Sequence, residues 1–274
     1  MSITTSSSLS VAAIQLTSTP DVDANLSRAL HYLEEAASAG AELAVLPENF
    51  GFLGSEKAKL AYAQSIEEGS FVAPLRELAA KKGMGIIAGG MPEKGPDDDR
   101  VYNTAVFIGR SGEVVGSYRK IHLFDIDLAG KISYQESASV LSGNEPMVVE
   151  FEGWKVGLSI CYDLRFPEMY RSLVDQGAHV LTVPAAFTLQ TGRDHWEVLL
   201  RARAIENQCY VIAAGQVGEH LKGRTSWGQS CVIDPWGTIL EQAPDVEGIT
   251  LATLERSELQ RIRTQLPCLT HRRL

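Results

Sequence analysis

Ten short apolar runs recur along the chain, each closed off by glycine, proline or polar residues. They occupy positions 11–16, 43–46, 85–88, 105–108, 114–118, 156–160, 180–183, 210–214, 231–234 and 249–254. Short runs bounded in this way, rich in Val, Ile, Leu and Ala, predict strands. Four longer segments carry the 3.6-residue period instead. Positions 23–39 place Leu26, Ala29, Leu30, Leu33 and Ala37 on one face and stop at Gly40. Positions 71–82 repeat the pattern through Phe71, Leu75, Leu78 and Ala79 and end at Gly83. Positions 167–176 open on Pro167, whose missing N–H is no loss in a first turn. Positions 195–208 are amphipathic through Trp196, Leu199, Leu200 and Ile205. Strands alternating with helices predict α/β layers in one domain, and ten strands are many for one sheet. Two packed sheets with outer helices are the expected architecture.

The chain has 274 residues, enough for one large α/β domain or two modest ones. Neither a linker nor a low-complexity tract divides it beyond the Ser/Thr-rich start. The expected organisation is a flexible segment, 1–9, followed by a single domain, 10–274. A net charge of −9 argues against a nucleic-acid partner, which needs a basic footprint to neutralise phosphates. The four cysteines are widely spaced, with no CxxC, so neither a disulfide scaffold nor a zinc site is expected. MSITTSSSLS has no basic n-region and no apolar h-region, and no stretch approaches the roughly 18 apolar residues that span a bilayer. The expectation is a cytoplasmic protein with no membrane partner, in a reducing compartment where free thiols survive.

Three predicted strands end on a charged or reactive group. The run 44–48 ends on Glu48, 114–120 on Lys120 and 156–161 on Cys161. Ligands of α/β sheets collect at the carboxyl ends of strands, so the three groups are candidates for one crevice. Cys161 also precedes the helix that opens at Pro167, whose N-terminus would lower a thiol's pKa and favour the thiolate. A lysine beside it could hold an oxyanion, and a carboxylate could shuttle protons. The plainer reading stays open at this point: glutamates at strand ends are commonly solvated, lysines are commonly surface residues, and cysteines commonly just pack. Cys209 and Cys231 read as strand core. His122 and His195 could partner a thiol, but neither has a local context that favours it. No His/Asp/Glu pair has metal-ligand spacing, and Gly89, Gly90 and Gly157 form no phosphate cradle.

The same residues carry a resemblance. Glu48 in LAVLPENF, Lys120 in YRKIHLFD and Cys161 in GLSICYDLRFPE resemble the three signatures of the nitrilase superfamily of C–N hydrolases, in the family's order. AAIQLTSTPDVDANL, TGRDHWEVLLRARAIENQCYVIAAGQVG, DPWGTIL and the closing HRR resemble its Nit branch, whose members hydrolyse deaminated glutathione. The resemblance implies an αββα sandwich whose protomers pair as a homodimer, with no metal and no organic cofactor. It implies Cys161 as nucleophile, Glu48 as general base and then acid, and Lys120 as oxyanion holder, with the Tyr162 N–H as a second donor. Glu136, in YQES, matches a further family carboxylate that orients the lysine and the leaving amide. Phe187 and Thr191 match substrate-pocket positions, although a loop at a strand end explains them equally well. Arg165 could receive a substrate carboxylate bidentately, or it could pair with Asp163 or Glu168. Positions 127–136 are expected to line the pocket mouth. The implied substrate is a small 2-oxo acid amide: deaminated glutathione or, as the alternative, the ω-amides α-ketoglutaramate and α-ketosuccinamate. Hydrolysis of another amide, a carbamoyl group or a nitrile, as elsewhere in the superfamily, is the further alternative. A non-catalytic scaffold of the same fold would have no need to keep Glu48, Lys120, Cys161 and Glu136 together.

Overall fold

A computed structural model describes residues 7–97, 99–128 and 132–273. The first half supplies β1 (Ser8–Gln15), β2 (Leu43–Val45), β3 (Gly85–Lys94), β4 (Val101–Ile108), β5 (Val114–Arg119), β6 (Asp125–Leu128), β7 (Ile132–Gln135) and β8 (Val140–Leu141). The second half supplies β9 (Met147–Phe151), β10 (Trp154–Leu158), β11 (Val180–Ala185), β12 (Tyr210–Gly215), β13 (Val217–Leu221), β14 (Arg224–Trp227), β15 (Cys231–Ile233), β16 (Ile239–Gln242) and β17 (Gly248–Glu255). The helices are α1 (Val22–Ser38), α2 (Glu56–Leu60), α3 (Val72–Lys82), α4 (Pro167–Asp175), α5 (Leu189–Asn207) and α6 (Arg256–Gln265).

One sheet runs β17-β1-β2-β3-β4-β5, with β8 beside β4; the other runs β16-β15-β12-β11-β10-β9. Alternation along each strand explains how the sheets stack. Val11, Ala13, Leu43, Val45 and Ile87 point into a core shared with Val156, Leu158, Val180 and Val183 of the second sheet. Their neighbours Ala12, Ile14, Ala44, Ile86 and Ala88 point the other way, into a second core with Leu33 of α1 and Leu75 of α3. α4 and α5 cover the outer face of the second sheet. The result is the four-layer αββα sandwich that the resemblance implied. Parallel pairs β1/β2, β2/β3, β10/β11 and β11/β12 make the centre of each sheet. Buried on both faces, those strands read as unbroken apolar runs.

All ten expected strands are present, and two boundaries change the picture. Residues 1–6 of the expected flexible segment lie outside the described residues, but Ser8 and Leu9 belong to β1, where they pair with Glu255 and Leu254. Leu9 is fully buried, so its side chain anchors the strand where a loose leader was expected. α5 starts six residues before the predicted position 195. Gly192 interrupts the helical pattern in the sequence, yet a Cβ at that position would lie 2.2 Å from Cβ of Trp227. A glycine there lets helix and strand touch.

His220 ties the β13–β14 hairpin to the loop after β1, donating from Nδ1 to Ser18 O at 2.8 Å and accepting at Nε2 from Ser226 Oγ at 2.8 Å. Burial pushes this imidazole down to about 4, against a smaller upward pull from the Ser18 carbonyl. The unfolded chain protonates it near 6.5 and the folded chain only near 4, so stability falls as pH drops through that window. His220→Gln should therefore have a lower melting midpoint than wild type at pH 7 and lose less on going to pH 4.5. Parallel declines in thermal melts of the two proteins would show that His220 does not titrate as argued.

Candidate active site

Glu48 lies three residues past β2, which ends at Val45. The chain turns there through Asn49 in the left-handed region (φ 62°), which asparagine tolerates better than most residues. Gly90 of β3 packs behind it with φ 47°, and a Cβ there would lie 2.8 Å from Glu48 Cγ and 2.7 Å from Asn103 Oδ1. Only glycine lets β3 approach this closely. Lys120 follows β5 directly. Cys161 does not end its strand: β10 stops at Leu158, and Cys161 opens the 3-10 turn Cys161–Arg165 with φ 49°. A left-handed, non-glycine residue costs about 1–2 kcal/mol and needs an outside restraint.

Asp163 supplies that restraint. It is fully buried, and its Oδ2 accepts from the Ile160 amide at 2.9 Å and from Tyr118 Oη at 2.8 Å. Its Oδ1 accepts from the His122 amide at 3.0 Å and from His122 Nδ1 at 2.7 Å. Burial and the Asp163 charge push the Tyr118 phenol far up, so it remains a donor. One carboxylate thus locks the turn that carries Cys161 to the strand and loop that carry Lys120. His122, stacked on Phe166 at 3.7 Å, serves this lock.

At the centre, Lys120 Nζ lies 3.0 Å from Glu48 Oε1 and 2.8 Å from Glu136 Oε2. Asn103 Nδ2 donates to the same two carboxylates, to Glu48 Oε1 at 2.9 Å and Glu136 Oε1 at 3.2 Å. Ala186, just past β11, donates its amide to Glu48 Oε2 at 3.0 Å, and the Phe124 amide donates to Glu136 Oε2 at 2.7 Å. Glu48, Lys120 and Glu136 are each no more than 3% exposed. Burial alone would depress the Lys120 ammonium, but Glu136 and then Glu48 outweigh it and hold the group well above the ordinary lysine range. Burial works to raise Glu136, and Lys120 more than reverses this, holding the carboxyl down at about 2. The Cys161 thiol moves the other way from expectation. Burial first, and the Glu48 charge second, push it well above the usual thiol value, although Lys120 pulls down. Burial and the neighbouring Glu48 therefore hold Cys161 toward the neutral thiol, against the expectation of a thiol lowered by the start of α4.

Cys161, Glu48, Lys120 and Glu136 all line one cavity of about 660 Å³. Arg165, Tyr162, Phe187 and Thr191 line it too, so all eight candidate residues meet there. Arg165 pairs with neither Asp163 nor Glu168. Its guanidinium lies over the rings of Tyr162 (5.7 Å) and Phe187 (5.3 Å) and donates only to His195 Nδ1 at 3.2 Å. Asp163 is already saturated at the turn, which explains why the expected pairing is absent. Phe187 is buried against Trp196, and Thr191, in the first turn of α5, shares a hydrogen bond of 2.8 Å with Thr188. Tyr134, from the segment expected at the mouth, also lines the cavity, as does Phe124 just before that segment. Among the described residues, no cluster of three or more His, Cys, Asp or Glu could hold a metal, and no helix is long and apolar enough to cross a membrane.

Sequence reading missed Asn103, Asp163, Lys59 and Arg224. Asn103 sits in the run Val101-Tyr-Asn-Thr-Ala105, where a polar residue between apolar ones was the one available signal.

The chain has known relatives. Residues 10–264 match the carbon-nitrogen hydrolase family, and the chain belongs to that family, within the nitrilase superfamily. It is similar to the deaminated glutathione amidase of Synechocystis sp., with 46% identity over 95% of this chain and 97% of that one. It is also similar to the chloroplastic omega-amidase of Arabidopsis thaliana, with 39% identity over 96% of this chain and 72% of that one. The crystal structure of Saccharomyces cerevisiae Nit3, a member of branch 10 of the nitrilase superfamily, superposes with a TM-score of 0.89 at 32% identity, covering 100% of this chain and 99% of that one.

Proposed function

We propose that this protein hydrolyses the amide bond of deaminated glutathione, releasing 2-oxoglutarate and Cys-Gly through a thioester on Cys161. Glu48 takes the thiol proton as Sγ attacks the amide carbon, and Lys120 Nζ with the Tyr162 amide holds the developing oxyanion. The carbon–nitrogen bond breaks as Glu48 passes that proton to the departing Cys-Gly amine. Water, deprotonated by Glu48, then attacks the thioester carbon, and collapse returns the proton to sulfur with release of 2-oxoglutarate. Glu136 keeps the ammonium charged and aimed. Arg165, which no carboxylate among the described residues engages, receives the carboxylate of the 2-oxo acid over the apolar floor of Phe187.

The observation that carries this reading is the cavity's charge and size around the thiol. Among the described lining residues, Lys59, Lys120, Arg165, Arg193 and Arg224 face Glu48 and Glu136, and with Lys59 paired to Glu56 and Arg193 to Asp194 the charge left over is that of Arg165 and Arg224, in a chain of net charge −9. A dianionic substrate fits that excess. About 660 Å³ also suits a drug-sized ligand better than a short keto-amide, which would leave much of the space to water. The likeness to the Arabidopsis enzyme favours the second reading, an ω-amidase for α-ketoglutaramate. As further parts of the proposal, the enzyme works as a homodimer in a reducing cytoplasm, which suits four cysteines that are all free.

The deciding assay follows 2-oxoglutarate formation from both substrates. The proposal expects kcat/KM for deaminated glutathione to exceed that for α-ketoglutaramate by at least about tenfold, the equivalent of one good charge-assisted contact with the tail. The reverse order would make the enzyme an ω-amidase with the same thiol chemistry.

A further inference from the structure

Among the described residues, five cationic side chains line the cavity, and four of them are accounted for. Lys120 is held by Glu48 and Glu136. Lys59 is buried against Glu56 at 2.9 Å. Arg193 is engaged by Asp194 at 2.9 Å. Arg165 lacks a carboxylate and is already assigned to the 2-oxo acid end. That leaves Arg224, the first residue of β14. It donates to the Gly54 carbonyl at 3.0 Å and to Tyr134 Oη at 3.3 Å, and its closest carboxylate, Glu56, is 4.0 Å away. Glu56 is in turn taken by Lys59, by Ser139 Oγ at 2.9 Å and by the Tyr134 hydroxyl. No acid among the described residues satisfies Arg224 at hydrogen-bond distance, although its side chain is only 30% exposed.

The two lining guanidiniums with no carboxylate at hydrogen-bond distance among the described residues stand apart along an aromatic wall. Arg224 lies over Tyr134, Tyr134 contacts Phe124, Phe124 contacts Tyr162, and Arg165 lies over Tyr162. Deaminated glutathione has one carboxylate at each end, with the scissile amide between them. We propose that Arg224 forms a second anion subsite that binds the carboxylate of the leaving dipeptide. This makes Arg224 the residue that selects amides carrying an anionic tail over simple keto-amides. The inference rests on the deaminated glutathione reading above. Its two fixed hydrogen bonds hold the fork in place, so a carboxylate meets a pre-oriented donor pair. His220 supports the same hairpin through Ser226.

The experiment compares wild type, Arg224→Ala and Arg224→Lys on three substrates: deaminated glutathione, the same molecule with its C-terminal carboxylate as a carboxamide, and α-ketoglutaramate. A contact made equally in ground and transition states changes KM rather than kcat, so Arg224→Ala should raise KM for deaminated glutathione ~10- to 100-fold with kcat nearly unchanged. Turnover of α-ketoglutaramate, which lacks the tail, should stay within about threefold and also reports that the variant is folded. Wild type should lose a similar factor on the carboxamide, Arg224→Ala should lose nothing more on it, and Arg224→Lys should recover part of the affinity. Equal losses on deaminated glutathione and α-ketoglutaramate would overturn the subsite, as would a wild type indifferent to the carboxamide; both leave the proposed reaction intact. A wild type that turns over α-ketoglutaramate but not deaminated glutathione would overturn the reaction and the subsite together.

Discussion

Glu48→Gln is expected to lower kcat/KM by about two to four orders of magnitude while leaving Cys161 open to alkylation. On the proposed mechanism the loss follows from the state of Cys161. Burial and the Glu48 charge keep Cys161 a neutral thiol, so attack requires a base within reach, and Glu48 is the carboxylate beside it. On the proposed mechanism the same group serves again when water cleaves the thioester, so both half-reactions suffer. Removing the negative charge has a second effect of opposite sign on the thiol itself. With Lys120 as the remaining nearby charge, the Cys161 titration should move down, and its alkylation by iodoacetamide should rise at lower pH than in wild type. The glutamine also meets a donor at either oxygen position: Lys120 and Asn103 at one, the Ala186 amide at the other. Whichever way the amide is turned, an N–H faces an N–H, which costs about 1–3 kcal/mol of stability. Peptide mapping of the alkylated sites separates Cys161 from the half-exposed Cys268. A variant that kept a tenth of wild-type turnover would show that Glu48 is not the base.

Lys120→Ala should remove most activity and destabilise the fold in one step. Loss of an oxyanion donor typically costs about two to three orders of magnitude in kcat. The structural cost arises because Glu48 and Glu136, both buried, would face each other without the ammonium, with the Asn103 amide between them. Breaking a buried ion pair by deleting one partner costs about 3–5 kcal/mol, and one of the two acids would take up a proton to limit it. Glu136, held down at about 2 by the ammonium, should then titrate much higher. The second substitution Glu136→Gln should restore part of the lost melting temperature without restoring turnover. Recovery of activity with stability in the double variant would mean that Lys120 acts only as a structural counter-ion.

Much of this was legible in the chain because burial on both faces writes parallel strands as plain apolar runs. The strands that escaped notice lack that mark. β14 (Arg224–Trp227) reads RTSW and β16 (Ile239–Gln242) reads ILEQ, and neither lies in the middle of a sheet. α6 buries only Leu259 and Ile262, so its ten residues look polar throughout. The site divides in the same way. Glu48, Lys120 and Cys161 stand out because each follows closely on an apolar run, whereas Glu136 was reached only through a resemblance. Asn103 works through partners 55 and 33 positions away, and Asp163 through one 45 positions away. Nothing local distinguishes such residues from an ordinary polar position in a strand or turn.

The protonated state of Cys161 also bears on how the enzyme meets oxidants. Peroxide attacks thiolates, and the first product, a sulfenic acid, forms in proportion to thiolate fraction and access. A thiol that is 8% exposed and pushed up by burial offers little of either at neutral pH. Cysteine enzymes that keep a standing thiolate have high intrinsic reactivity but are readily inactivated. On the proposed mechanism, the nucleophile is made only when a substrate is in place to receive it. The working population should therefore survive a peroxide burst that silences enzymes of the other kind.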